Sequence, residues 1–300
     1  MSYNSLGLKN DVIFKYVFGH PKNKYILLSL LNALLGYDYH NKITDIKLLN
    51  PLNLKEYLDD KFSILDIKAK DNQGRQYNIE LQIQQDRYFI PRVIYYHDKL
   101  FVEQLGKSES YEKLNKTISI SILNYVLFPE EKLLHNIYRY TNINSGKQLT
   151  DIKELHFIEL LKFNKEKPKQ LRTTFEKWLH ILKFGEFYPD SVNSLEKELK
   201  SEEAILMAAQ AMKSALSNRR VREMVNSREK ARRDEISRLN SAKFEAKLEG
   251  REEGIKEGIK EGIKEGITIT ALNMLKSGIN IKTIMVSTGL SKTELLNLKN

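Results

Sequence analysis

The sequence predicts an α/β fold around one mixed sheet, followed by an α-helical C-terminal region. Three observations carry this. Stretches of helical and strand period follow one another as helix, three strands, helix, strand. Residues 63–84, SILDIKAKDNQGRQYNIELQIQ, alternate apolar and polar side chains on two runs around a turn. Residues 116–128, KTISISILNYVLF, alternate and then become wholly apolar, as a central strand would.

The elements follow in order. Asp11 to Gly19 and Lys24 to Leu35 read as two opening helices, the second closed by Gly36 at the expected C-terminal position. Ile43 to Leu49 is the first strand, and the hairpin of residues 63–84 supplies two more. A helix from about Arg87 to Leu105 carries Phe89, Val93, Tyr96, Leu100 and Phe101 at helical spacing. Lys116 to Phe128 is the central strand, and Leu134 to Thr141 and Gln148 to Phe163 add strands. Leu171 to Phe184, with the single Trp178, returns to helix.

After Pro189 the composition shifts. Residues 195–248 contain no proline or glycine and read as long amphipathic helices, with a basic cluster between Arg219 and Arg233 interrupted by Glu223 and Glu229. Mixed charges of this kind suit a solvated face better than a DNA-contacting one. Gly250, Gly254, Gly258, Gly262 and Gly266 then recur every fourth residue, the last four each followed by isoleucine, Ile255, Ile259, Ile263 and Ile267. Glycine inside a helix costs about 1 kcal/mol relative to alanine. The repeat is therefore either a linker or a self-association helix, whose isoleucine stripe drifts by about 40° per repeat. The tail, from Ala271, divides at Gly278 and Gly289 into short helices, with Ser291 and Glu294 spaced as a capping box. Its spacing is that of a minimal helix-turn-helix, but the last helix has no arginine, which favours packing or dimerisation over groove reading.

A 300-residue chain that is 41% hydrophobic buries a sizeable core. No cysteine is present, which excludes disulfides, thiolate zinc sites and cysteine nucleophiles. With neither a leader-like N-terminus nor a membrane-length apolar run, the expectation is a soluble cytoplasmic protein with no membrane partner and no organic cofactor. A net charge of +10 points to a polyanion, nucleic acid first. A lysine-rich composition without such a partner is the alternative.

Matching faces fixes the hairpin register, because a one-residue slip would set an apolar row against a polar one. Pairs whose numbers sum to 146 satisfy it, leaving Asn72, Gln73 and Gly74 as the loop, with Gly74 in the left-handed region. Asp66 then faces Glu80, with Lys68, Gln82 and Gln84 on the same side. Cβ atoms of directly opposed residues lie about 4.5–5.5 Å apart, and two carboxylates at such a separation repel by about 4 kcal/mol near a protein surface. Either neighbouring lysines neutralise the pair or a divalent cation does. Hard oxygen donors without cysteine or histidine indicate Mg2+, or Mn2+, and not zinc.

The order Asp, hairpin, Glu-Leu-Gln-Ile-Gln resembles the PD-(D/E)XK nucleases, specifically the recombination-promoting nuclease family, also described as PD-(D/E)XK nuclease family transposases. KNDVIFKYVFG, DIKAKDNQGRQYNIELQ, RVIYYHDKLFVEQL and the Gly-Glu repeat with its helical tail resemble that family in the same order along nearly the whole chain. The resemblance implies a restriction-endonuclease-like αβββαβ core and metal-dependent DNA endonuclease activity of low sequence specificity, tied to recombination, mobile elements or defence. It implies Asp66 and Glu80 as metal ligands, Asp11 as a further acidic ligand, and Gln82 in place of the motif's lysine. Leu65 stands where the motif has proline. Lys68, Gln84, Tyr95 and Gln104 are the candidate nucleic-acid contacts. The alternative is a weak or inactive nuclease fold acting as a binding or oligomerising scaffold. The expected organisation is a nuclease domain over 1–190, long helices over 191–248, the repeat over 249–268 and the tail over 269–300, with DNA as partner and homo-oligomers formed through the C-terminal helices.

Overall fold

The computed structural model describes residues 7–37, 39–52, 66–188 and 195–298. Residues 63–65, which include Leu65, and the composition break at Pro189 lie outside the described residues. The chain forms two compact units, Met1–Glu229 and Lys230–Asn300. No helix among the described residues is long and apolar enough to cross a membrane.

In the first unit, α1 (Asp11–Gly19) starts at Asn10, whose side chain accepts from the amides of Val12 and Ile13. The second helix, α2 (Lys24–Leu35), stops at Gly36 in the left-handed region. Six strands form one sheet: β1 (Ile46–Leu48), β2 (Ile67–Asp71), β3 (Gln76–Gln82), β4 (Thr117–Leu123), β5 (His135–Tyr138) and β6 (Lys153–Glu159). Their order is β1-β2-β3-β4-β6-β5. The β3–β4 and β4–β6 pairs are parallel and the others antiparallel, so the sheet is mixed. Between β3 and β4 lies the crossover helix α3 (Phe89–Val102). This is the predicted αβββαβ order.

The hairpin has the register that face matching requires: Ile67 opposes Ile79, Lys68 opposes Asn78, and Ala69 opposes Tyr77. Gly74 has φ of 84°, and an added Cβ there would also strike Asn115. The buried Asp71 ties the turn. Its carboxylate accepts from the amides of Gln73 and Arg75, from Arg75 Nε at 2.6 Å and from the Tyr77 hydroxyl at 2.8 Å.

Alternation assigns the two faces of the sheet. Ile67, Ala69, Tyr77, Ile79, Ile118, Ile120, Ile122 and Ile158 join the main core with Phe14, Phe18, Leu27, Leu30 and Trp178. A smaller core lies under α3, built by Phe89, Val93, Leu123, Tyr125 and Phe157. Leu155 packs against this smaller core, and His97 meets Ser119 at 2.9 Å. The buried stripe of α3 is Phe89, Val93, His97 and Leu100, with Tyr96 only half-buried.

Helix α4 (Thr174–Phe184) delivers Trp178 to the core, where its Nε1 donates to Ser29. After the short α5 (Lys197–Lys200), helix α6 (Glu203–Ser217) buries Ala204, Ile205, Ala208, Ala209, Met212 and Ala215 along one face. These small side chains let it pack closely on α1 and α2. The first unit thus continues past residue 190 into the helical region. Helix α7 spans Arg219–Lys276 and includes all five repeat glycines.

In the second unit, α8 (Ile281–Thr288) and α9 (Lys292–Asn297) follow the end of α7. Ala271, Ile284 and Leu295 form their shared core. Ser291 and Glu294 make the predicted capping box. An added Cβ at any of Gly250, Gly254, Gly258, Gly262 or Gly266 would meet nothing within 4 Å, and Ile255, Ile259 and Ile263 are exposed.

Candidate functional site

Asp66 stands immediately before β2, and Glu80 lies on β3 on the side of the sheet that α3 covers. Asn50 holds the approach to Asp66 like an extra rung of the sheet. Its Oδ1 accepts from the Lys68 amide at 2.6 Å, and its Nδ2 donates to the Asp66 carbonyl at 3.1 Å and stands 3.5 Å from the Asp66 carboxylate. From α1, Lys15 Nζ donates to the carbonyls of Asn50 and Asp66. Gly19 gives that lysine its room, since a Cβ there would lie 2.8 Å from Lys15 Cδ.

Burial pushes the Asp66 carboxyl above the ordinary aspartate range, against the opposing pull of Lys15 and Lys68. Burial also raises Glu80; Arg92 opposes the shift and the charge of Asp66 adds to it. The Asp66 charge thus reaches Glu80. Lys15 itself is lowered to about 8, first by burial and then by Lys68, with Asp66 pulling the other way.

Arg92, in the first turn of α3, draws the other side of the site together. Its Nη2 donates to Glu80 Oε1 at 3.1 Å and Gln82 Oε1 at 2.9 Å, while Nη1 donates to Asp86 Oδ2 at 2.9 Å. Gln82 Nε2 in turn donates to the Gln84 carbonyl. Beside them the Tyr125 hydroxyl is buried without a hydrogen-bond partner. Burial and then the Glu80 charge raise its pKa.

The structure thus groups Asp66, Glu80, Gln82 and Lys68, with Gln84 next to them. It does not place Asp11 with them. Asp11 Oδ2 is ion-paired to Arg228 Nε at 3.2 Å, and its Oδ1 accepts the Val12 amide. Among the described residues no group of three or more His, Asp or Glu residues is arranged to hold a metal ion. Gln104 also lies elsewhere. It donates to the Asn115 carbonyl and to Thr117 Oγ1 and accepts the Asn115 amide, so its amide fixes the entry to β4. Glu80 is level with Ser121, four residues farther along that strand, or roughly 13 Å. Tyr95 is exposed on α3, with its ring against Tyr96.

Sequence reasoning passed over Arg92, Asp86, Asn50, Lys15 and Tyr125. Lys15 and Arg92 both lie inside stretches that carry the family resemblance, KNDVIFKYVFG and RVIYYHDKLFVEQL. A basic residue in the first turn of the helix after the hairpin was the available signal.

A buried aspartate and a half-buried glutamate whose charges act on each other's neighbourhood fit a small hard cation. Magnesium is commonly held by one or two carboxylates, with water and phosphate oxygens supplying the rest. The unpartnered Tyr125 hydroxyl leaves a polar contact open beside Glu80. Two carboxylates and a neutral glutamine suit phosphodiester chemistry better than acyl transfer, and the His97–Ser119 contact on the same side of the sheet is buried.

Comparison with known proteins agrees with this geometry. A family model described as PD-(D/E)XK nuclease family transposase matches residues 8–242. Residues 270–300 match one described as Rpn/YhgA-like nuclease family, C-terminal HTH domain. Searches of curated proteins and of solved structures found no match.

Proposed function

Because the chain belongs to the PD-(D/E)XK nuclease family transposases, we propose that it is a divalent-metal-dependent DNA endonuclease of low sequence specificity, serving recombination, mobile-element movement or defence. The observation that carries this reading is the placement of Asp66 and Glu80, near enough for the Asp66 charge to act on Glu80, with Gln82 held by the same arginine as Glu80. Asp66 and Glu80 would hold Mg2+ or Mn2+. The ion, when bound, supplies Lewis-acid stabilisation of the phosphate and lowers the pKa of water.

The chain's own groups do the rest. Hydrolysis adds water across one P–O bond, and the phosphate gathers negative charge on the way. Gln82 is neutral, so it serves by orienting water or by donating to a phosphate oxygen. Lys68 and Gln84 border the site on the DNA side, and Tyr95 offers an exposed ring one helical turn beyond Arg92. Nicking of supercoiled plasmid by the purified protein in Mg2+, and its absence in EDTA, is the expected result. Equal nicking by the Asp66→Ala, Glu80→Ala double variant would end the reading.

A second reading, a DNA-binding scaffold without catalysis, draws on Gln82 and on the Arg92 ion pair to Glu80. It requires binding that weakens steeply with salt and ignores chelation of metal. The helix-turn-helix match suggests DNA binding by the tail, where the lack of arginines on α9 had favoured packing.

Self-association belongs to the same proposal. The repeat glycines have open space over them and Ile255, Ile259 and Ile263 face solvent, an arrangement suited to a second helix. Light scattering is expected to show the full chain as an oligomer and a chain ending at Lys247 at lower order. An unchanged mass would refute assembly through the repeat.

A further inference from the structure

Arg92 makes three contacts that belong to different roles. It touches Glu80, a proposed metal ligand; Gln82, which stands where the motif has its lysine; and Asp86, which is outside the pair. A guanidinium has five donors in a rigid fork and stays charged at any working pH, so it is suited to bridging carboxylate and phosphate oxygens. The side chain is 36% exposed, so its guanidinium is open to solvent. Its Cζ lies 5.4 Å from the Phe89 ring centroid, against the buried aromatic group under α3. The Asp86 contact is separate from the Glu80 contact, because each uses a different guanidinium nitrogen. One can be released while the other is kept.

We propose that Arg92 is both the resident cation of the site and the positive charge that Gln82 does not provide. In the metal-free protein its Nη2 neutralises Glu80. With Glu80 committed to a divalent ion, that nitrogen would be free, and the guanidinium would turn about its Asp86 contact to donate to a non-bridging oxygen of the scissile phosphate. Metal and arginine thus compete for one carboxylate oxygen, and the exchange moves arginine toward the substrate when the site is loaded. This inference rests on the nuclease reading, with Asp66 and Glu80 as ligands. Lys68 is the other candidate for the missing charge, but no hydrogen bond places its amine on Glu80 or Gln82, whereas Arg92 is in contact with both.

The test measures two quantities on the full-length chain: Mn2+ binding by electron paramagnetic resonance of the free ion, without DNA, and nicking of plasmid at saturating Mn2+. In Arg92→Ala the competitor is gone, and Mn2+ binding is expected to tighten by about tenfold. The nicking rate is expected to fall by about 10²-fold, the usual consequence of removing one charge-stabilising donor. Arg92→Lys keeps the charge but not the fork, so it should recover part of the rate and bind Mn2+ between the other two proteins. Tighter metal with slower cutting is a pair that simple loss of fold does not produce. Should Arg92→Ala bind Mn2+ as weakly as wild type or more weakly, or cut at the wild-type rate, the exchange is overturned while the nuclease reading stands. A wild-type protein that neither binds Mn2+ nor cuts removes both.

Discussion

Asp66→Asn is expected to lower Mg2+-dependent nicking by about 10²- to 10⁴-fold, the loss that follows from removing several kcal/mol of Lewis-acid stabilisation at about 1.36 kcal/mol per tenfold in rate. The same substitution should raise the melting temperature of the metal-free protein. The sign follows from burial, which lifts the carboxyl pKa in the folded state above its unfolded value. A group shifted this way contributes stability that is complete below the unfolded pKa and is lost as pH rises through the folded one. The charged Asp66 carboxylate is therefore carried at a cost to the fold, and asparagine removes that cost with little change of shape. Glu80→Gln shares the direction through its own raised pKa, although it also breaks the Arg92 contact. Thermal melts in EDTA check the stability arm, and a lower melting temperature for Asp66→Asn would show that the carboxylate is a structural group. Both carboxyls must be ionised to bind metal, so the Mg2+-induced rise in melting temperature should fade on acidification sooner than it would for a pair of ordinary carboxylates.

Asp71→Ala is expected to destabilise the fold by about 3–5 kcal/mol, the range for breaking a buried ion pair by removing one partner. In a domain of this size that is a fall in melting temperature on the order of 10 °C. The Asp71 side chain has no exposed surface, and its loss strands the Arg75 guanidinium, 13% exposed, and the buried Tyr77 hydroxyl together with two turn amides. Arg75 also stacks over the Tyr37 ring at 5.0 Å, so the damage spreads beyond the hairpin. Asp71→Asn keeps an acceptor for the amides and should cost less. Urea midpoints for the two variants give the comparison, and near-wild-type stability of Asp71→Ala would show that the turn is held by its backbone alone.

The hairpin was legible for a definite reason. A strand has a period of two and one side of this sheet is buried, so the apolar residues from Ile67 to Leu81 admit a single pairing, and that pairing puts Asp66 and Glu80 on one face. Gly36, Gly74 and the Ser291–Glu294 box were equally readable, because the signals for turns and caps are local. Tyr96 was misplaced on the α3 stripe because helical spacing does not separate a polar buried position, such as His97, from an apolar one beside it. The resemblance implied Asp11 as a ligand, but Arg228, 217 residues later, pairs with its carboxylate. Gln104 was read from a shared helical face, and its partners lie beyond the end of that helix.

The sequence by itself determined the order of elements and the hairpin register, because each follows from periodicity or from turn chemistry over a few residues. Tertiary structure alone decided what surrounds the carboxyls of Asp66 and Glu80: the lysine from α1, the asparagine before β2, and the arginine of α3 that holds Glu80 and Gln82 together. Charge and hydrogen-bond complementarity act over a few ångströms between segments far apart in the chain, and no period along the sequence records which distant cation comes to rest beside a given acid.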